Sequence, residues 1–214
     1  MKESVCLITG ATSGIGRATA YEMAKRKYTV VVAGRNRQKC ASTVESIIKV
    51  TGNQFVDYLV ADLSSQENIH ILTQQFQRNH ERLDVLVNNV GTIAWTRQLS
   101  PDGIDLTFAL NHLSYFLVTQ LLLDVLKSSA PSRIINVSSI VGKRAIPYMS
   151  AYCASKFAMQ AFSESLRVET TPHNIRVTVI CPPRVQTDFD TTPMMQHQIS
   201  QRVKLYSKFT LSVS

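Results

Sequence analysis

VCLITGATSGIGRATA, residues 5–20, joins a short β-branched apolar run to three glycines and then to the first residues of a helical pattern. VCLIT reads as a strand, and a helix reads from 14 to 27. Gly10, Gly14 and Gly16 fall in the turn between them. Glycines there let the backbone bend tightly and come close to a ligand. The helix start offers backbone N–H groups and the positive end of the helix dipole. Together these suit the pyrophosphate of a dinucleotide, and Gly10, Ser13, Gly14, Ile15 and Gly16 are the candidate contacts. A glycine triplet alone serves a tight turn; the strand–turn–helix setting is what points to phosphate.

Outward from this unit the pattern repeats. Strand-like runs stand at 5–9, 29–33, 55–61, 84–88, 133–138 and 175–181. Helical segments lie between them at 14–27, 38–50, 66–81, 103–128 and 151–170. Such alternation predicts an α/β fold, a doubly wound parallel sheet in three layers. The strands read as apolar on both sides, as a covered parallel sheet requires. After residue 181 the signals thin out, and the last strand of such a sheet is missing or unrecognisable. The expected division is a catalytic domain over 1–190 and a lid with a divergent or truncated terminus over 191–214.

The chain has 214 residues, 44% hydrophobic and 18% charged, which excludes a disordered or fibrous protein. Its net charge of +8 suits an anionic partner without naming one. The basic residues are dispersed and no nucleic-acid recognition motif is present, so nucleic acid is not expected as a partner. Cys6, Cys40, Cys153 and Cys181 show neither CxxC nor zinc spacing, so no metal is expected and the thiols fit a reducing, cytoplasmic setting. Residues 116–126, FLVTQLLLDVL, form the longest apolar run and are too short to span a bilayer, so no transmembrane segment is expected.

NAD-binding folds place an acid on the adenine ribose about 20 positions after the glycine turn. The second strand here ends VVVAGRNRQK, with Gly34 where the acid would stand and Arg35 after it. A carboxylate repels a 2′-phosphate, whereas a guanidinium holds it with a fork of N–H donors. The reading favours NADP(H) over NAD(H). Asp62 ends the third strand and has two roles open to it, binding the adenine amino group or capping the helix that begins near Ser64. Leu63 beside it is a further candidate cofactor contact.

Tyr152 and Lys156 stand one helical turn apart, on one face. A fixed ammonium beside a phenol favours the phenolate and tunes it as a proton donor and acceptor. Alone, the spacing favours an interfacial tyrosine and a solvated lysine over a catalytic pair. TGATSGIG (9–16), NNVG (88–91), Asn111, NVSS (136–139) and YCASK (152–156) stand in the order and spacing of a known family. The sequence over residues 3–190 resembles the short-chain dehydrogenase/reductase family, and segments 103–127 and 129–139 look most like its retinol dehydrogenase-like branch.

The resemblance implies a Rossmann fold and an NAD(P)-dependent oxidoreductase that interconverts a carbonyl and an alcohol, with Gly34 and Arg35 favouring NADP(H). It implies that Tyr152 is the acid/base, Lys156 its partner and ribose ligand, Ser139 the hydroxyl on the substrate oxygen, and Asn111 a member of the proton relay. Asn88 and Gly91 match an element beside the adenosine; Pro182, Val185 and Thr187 match residues near the nicotinamide. Pro183 stands where the family has glycine, which removes a backbone donor and a permissive φ. That departure and the unusual terminus keep open an alternative, a cofactor-binding sensor or partner-dependent protein with little turnover. The expected substrate is a small-molecule carbonyl or alcohol, apolar or long-chain, with Trp95 and Met149, Met194 and Met195 near it. His112 is expected to serve packing or to support a site residue rather than act as a base. Residues 116–126 are expected to supply both core and a homodimer face.

Overall fold

The β-branched runs form strands, and every pairing between them is parallel. A computed structural model describes residues 4–183 and residue 185. The strands are β1 (Val5–Thr9), β2 (Thr29–Gly34), β3 (Val56–Val60), β4 (Val85–Asn88), β5 (Ser132–Val137) and β6 (Ile175–Ile180). The helices are α1 (Gly14–Lys25), α2 (Arg37–Thr51), α3 (Gln66–Asn79), α4 (Leu106–Ser128) and α5 (Ser150–Thr170). Within α4, Ala109–Leu113 form a π-helical turn.

The sheet order is β3-β2-β1-β4-β5-β6. The chain starts in the middle, builds outward to β3, then crosses to β4 on the other side of β1. That reversal leaves a crevice beyond the carboxyl ends of β1 and β4, where doubly wound sheets bind ligands. Both the glycine turn after β1 and the NNVG segment after β4 open into it.

Each face of the sheet buries its own core. Leu7, Val31, Leu86 and Ile134 pack with Phe76 of α3, Leu122 and Leu126 of α4 and Leu166 of α5. Cys6, Ile8, Val30 and Val32 pack with Ala20 and Ala24 of α1 and Ile47 of α2 on the other face. Helix α4 reaches the sheet through Val118, Leu122 and Leu126, one residue per turn along a single stripe.

Two expectations change. The strands are not all covered on both faces: in β6, Ile175 and Val177 are buried while Arg176, Thr178 and Ile180 are exposed, so this strand alternates. The physical reason is its place at the edge of the sheet among the described residues, where Arg133 of β5 stands beside Arg176. The apolar run at 116–126 is part of a longer helix. Leu106–Ser128 spans 23 residues, long and apolar enough by length and composition to cross a membrane, with half of its most apolar window buried inside the fold. The expected lid over 191–214 lies outside the described residues.

Candidate active site

The phosphate end is built from backbone. Gly10 has φ +64 and Gly14 has φ +52, values that glycine adopts without strain. At Gly16 a Cβ would fall 2.5 Å from the Gly10 carbonyl oxygen, so the turn closes only around hydrogen. Ser13 occupies the N-cap position of α1 and makes no side-chain cap, and the first helical turn holds no acid. Nothing negative there competes with an anion for the helix end. Ser13 is exposed and Ile15 half-buried at the mouth of the turn.

Asn89 pins this turn. Its amide N–H groups donate to the Thr9 and Gly10 carbonyls, each at 3.0 Å, and its backbone N–H donates to Thr9 Oγ1 at 2.9 Å. These bonds tie the end of β4 to the end of β1 across the crevice. Asn88, the residue expected beside the adenosine, is instead fully buried: its amide donates to Thr119 Oγ1 at 3.0 Å and to Asn136 Oδ1 at 2.9 Å. Strand alternation is the reason, because successive side chains leave β4 on opposite faces. Two adjacent asparagines carry no mark in the sequence of which one faces the turn.

The end of β2 explains why no acid stands at position 34. A Cβ at Gly34 would lie 2.9 Å from Thr12 Cγ2 and 3.0 Å from Cys40 Sγ, so the glycine turn and α2 together close that space. Arg35 follows, exposed, directly before Asn36, whose side chain caps α2 by accepting the Lys39 N–H at 2.9 Å. The cap fixes the backbone that carries Arg35. Asp62 does not cap α3; Ser65 does, accepting the Asn68 N–H at 3.3 Å. Asp62 instead holds a turn, accepting from Ser64 N–H at 3.0 Å and Ser64 Oγ at 2.8 Å. The Leu63 side chain is buried in the core, which leaves its backbone for any ligand contact.

The chemical end is built from side chains. Lys156, on α5, is buried at 4% exposure, and its Nζ donates to the Val137 carbonyl at 3.2 Å. The ammonium lies 5.8 Å from the centre of the Tyr152 ring. Burial lowers the Lys156 pKa to about 8, against a small opposing effect of Cys181. Tyr152 lines a cleft of about 220 Å³ with Trp95, Arg97, Asp105, Tyr148 and Met149. The expected Trp95 and Met149 are therefore brought together there, while Met194, Met195 and Thr187 lie outside the described residues. A larger cleft of about 460 Å³ opens at the other end of the sheet, among Val5, His80, Arg82 and Ser129, away from these groups.

Asn111 sits in the π-helical turn of α4, fully buried. Its carboxamide accepts the Thr92 N–H at 2.8 Å, donates to the Thr92 carbonyl at 2.9 Å and donates to Ser155 Oγ at 3.2 Å. Ser155 Oγ in turn donates to the Tyr152 carbonyl at 2.7 Å. One chain of bonds thus links the segment after β4, the widened turn and the Tyr152 helix. Gly91 belongs to the same junction, since a Cβ there would stand 3.1 Å from Asn111 Oδ1.

Ser139 and Ser138 are separated by their burial. Ser138 is buried and donates to the Lys156 carbonyl at 3.4 Å, whereas Ser139 is half-buried and caps the short helical turn that follows β5. Gly142 lets this loop touch α5: a Cβ would lie 2.8 Å from both the Lys156 carbonyl and Ser138 Oγ. The Pro182 carbonyl accepts the Ile140 N–H at 3.3 Å, which joins the loop to the segment after β6. Pro183 and Val185 are exposed beyond it. His112 packs as expected, edge-on to Phe108 and Phe162 at 5.2 and 6.1 Å, and burial lowers its pKa.

A family model described as short chain dehydrogenase matches residues 4–197. The chain belongs to the short-chain dehydrogenase family. Within that family it stands with the retinol dehydrogenase-like branch. It is 34% identical over 195 residues to Retinol dehydrogenase 13 of Homo sapiens, covering 85% of this chain and 59% of that protein. It is 35% identical over 196 residues to Retinol dehydrogenase 11 of Homo sapiens, covering 86% and 62%. The chain therefore spans about three fifths of the length of these relatives. Among solved structures, the Pseudomonas aeruginosa RhlG/NADP active-site complex is 30% identical with a TM-score of 0.79, covering 92% of this chain and 80% of that one.

Proposed function

We propose that this chain carries an NADP(H)-dependent oxidoreductase that interconverts an alcohol and a carbonyl compound. The observation that carries the reading is the buried Lys156 ammonium facing the Tyr152 ring, on a helix bonded through Ser155 to Asn111. The residues at the crevice fit a dinucleotide: Gly10, Gly14 and Gly16 make room for phosphate, and Arg35, exposed directly after Gly34, would supply a guanidinium for a 2′-phosphate. A bound nicotinamide supplies or accepts the hydride.

The protein's own part is to handle one proton. In reduction Tyr152 donates its proton to the carbonyl oxygen, and the Ser139 hydroxyl donates a hydrogen bond to the same oxygen as charge grows there. Lys156, with its pKa at about 8, is mostly protonated at pH 7 and favours the phenolate that remains. Oxidation of the alcohol runs the same steps in reverse. Trp95, Tyr148 and Met149 would receive an apolar part of the substrate, while Arg97, Asp105 and Thr107 in the same cleft face it with polar groups. The NADP and NADPH complexes among the similar structures support the phosphorylated cofactor. A homodimer fits the outer surface of α4 and α5, where Phe116 and Phe157 are 43% and 44% exposed.

The test is NADPH oxidation followed at 340 nm with a panel of aldehydes and ketones, on the chain and on Tyr152→Phe. Turnover that the variant lacks supports the reading. NADPH binding without turnover on any panel member, in a folded sample, favours a binding role instead. Reaction only with small polar hydroxy acids or sugars would sink the apolar substrate.

A further inference from the structure

The Lys156 ammonium has a second aromatic neighbour. Its Nζ lies over the ring of Tyr115, 5.7 Å from the centre, nearly the same distance as from Tyr152. Tyr152 comes from the lysine's own helix, one turn back. Tyr115 comes from α4 and is fully buried. Its hydroxyl donates to the Val90 carbonyl at 2.7 Å and to the Val137 carbonyl at 3.2 Å. The Val137 carbonyl thus receives both the Tyr115 hydroxyl and the Lys156 ammonium.

An ammonium taken out of water needs other groups to solvate it. Among the described residues Lys156 forms no ion pair. The charged or titratable groups around it are Tyr152 on its own helix, Tyr115 on α4, and Cys181 after β6, which accepts a hydrogen bond from the Gln160 amide at 2.9 Å. Among the described residues the ammonium's surroundings include the Val137 carbonyl, two rings and Gly91, where a Cβ would stand 3.9 Å from Nζ, and a ring face attracts a cation through its quadrupole.

We propose that Tyr115 is a positioning residue: its ring gives the Lys156 ammonium a second aromatic wall beside that of Tyr152, and its hydroxyl anchors the carbonyl to which that ammonium donates. Tyr115 is not a second proton donor, because burial pushes its phenol pKa up and two backbone carbonyls hold its proton. In turnover the proposal rests on the dehydrogenase reading, since the seat matters there through the charge that Lys156 presents to Tyr152. The seat itself belongs to the chain without cofactor.

The experiment follows the Lys156 titration directly. The chain is labelled with ¹³C at lysine Cε, and the Lys156 signal is identified by its loss in Lys156→Arg. Position 115 then carries phenylalanine and, in turn, phenylalanines with increasing ring fluorination, which keep the shape and weaken the ring's negative face. The expected result is a midpoint that falls in steps along the fluorinated series, by about half a pH unit or more in total. A flat midpoint along the series overturns the proposal. If Tyr115→Phe does not fold, 3-fluoro- and 3,5-difluorotyrosine give the same comparison with the hydroxyl kept.

Alcohol oxidation supplies a second readout. Its acid limb should move to higher pH along the series, because a less charged Lys156 helps the Tyr152 phenolate less. An acid limb unchanged while the Lys156 midpoint falls also overturns the positioning role. Absence of turnover in the unmodified chain would count against the dehydrogenase reading alone, and the titration would still decide the seat.

Discussion

The two halves of the sheet make their ends of the crevice by different means. From β1 to β3 the site is backbone: glycines at positive φ, a helix start without acids, and a space at Gly34 too tight for a side chain. From β4 to β6 it is a set of buried polar side chains bonded to one another. Asn88, Asn136 and Ser163 form one line, with Asn136 donating to Ser163 Oγ at 2.9 Å; Asn111 and Ser155 form another. A phosphate needs many weak donors and close approach, which backbone supplies. A proton transfer needs particular groups held in particular places, which only side chains fixed by their neighbours supply.

The largest expected effect tests the second half. Tyr152→Phe keeps NADPH binding and lowers turnover by about a thousandfold or more, measured by fluorescence titration beside the 340 nm assay; retained turnover would remove Tyr152 from the proton step. Next is Asn136→Leu, which takes one acceptor from the buried Asn88 amide and one donor from Ser163 Oγ, leaving Asn88 its bond to Thr119 and Ser163 its bond to Met159. We expect a loss of about 3 kcal/mol in urea unfolding, and a silent substitution would mean that the polar line in this half is dispensable.

Lys156→Met sharpens the contrast through pH. The folded-state pKa of Lys156 is lowered from 10.5 to about 8 by burial, so the unfolded chain holds more protons between those values and stability rises with pH across them. The penalty for burying the charge is fully present below about pH 8. Lys156→Met should therefore stabilise the cofactor-free chain at pH 7 by about 2 kcal/mol, with a gap that closes toward pH 10.5. A gap independent of pH would show that the lysine's charge is not what costs stability. The smallest effect belongs to the first half: Arg35→Ala should reduce the preference for NADPH over NADH by about tenfold, read from paired affinities, and NADH binding tenfold more tightly than NADPH in the unaltered chain would reverse the cofactor assignment.

The same contrast governs what was legible before the structure. In the first half, residues adjacent in sequence make the site, so the strand–turn–helix from Val5 to Ala20 could be placed directly. The six strands also followed from their apolar runs to within a residue or two. In the second half, a motif names Tyr152 and Lys156 but not what surrounds them. Nothing local marks Asn89 rather than Asn88 as the residue on the glycine turn, or Gly142 as the place where the loop after β5 meets α5.

By itself the sequence determined the alternation of strands and helices, the glycine turn, the missing acid at position 34 and the spacing of Tyr152 from Lys156. These rest on period and neighbourhood along one chain, and such information is local. Only the tertiary structure decided that Asn88 turns inward, that Asn111 reaches Ser155 through a widened helical turn, and that Tyr115 shares a carbonyl with Lys156. Those pairs lie far apart in the chain, and they meet because the parallel crossovers bring α4 and α5 together over β4 and β5, where buried polar groups must find partners from another element.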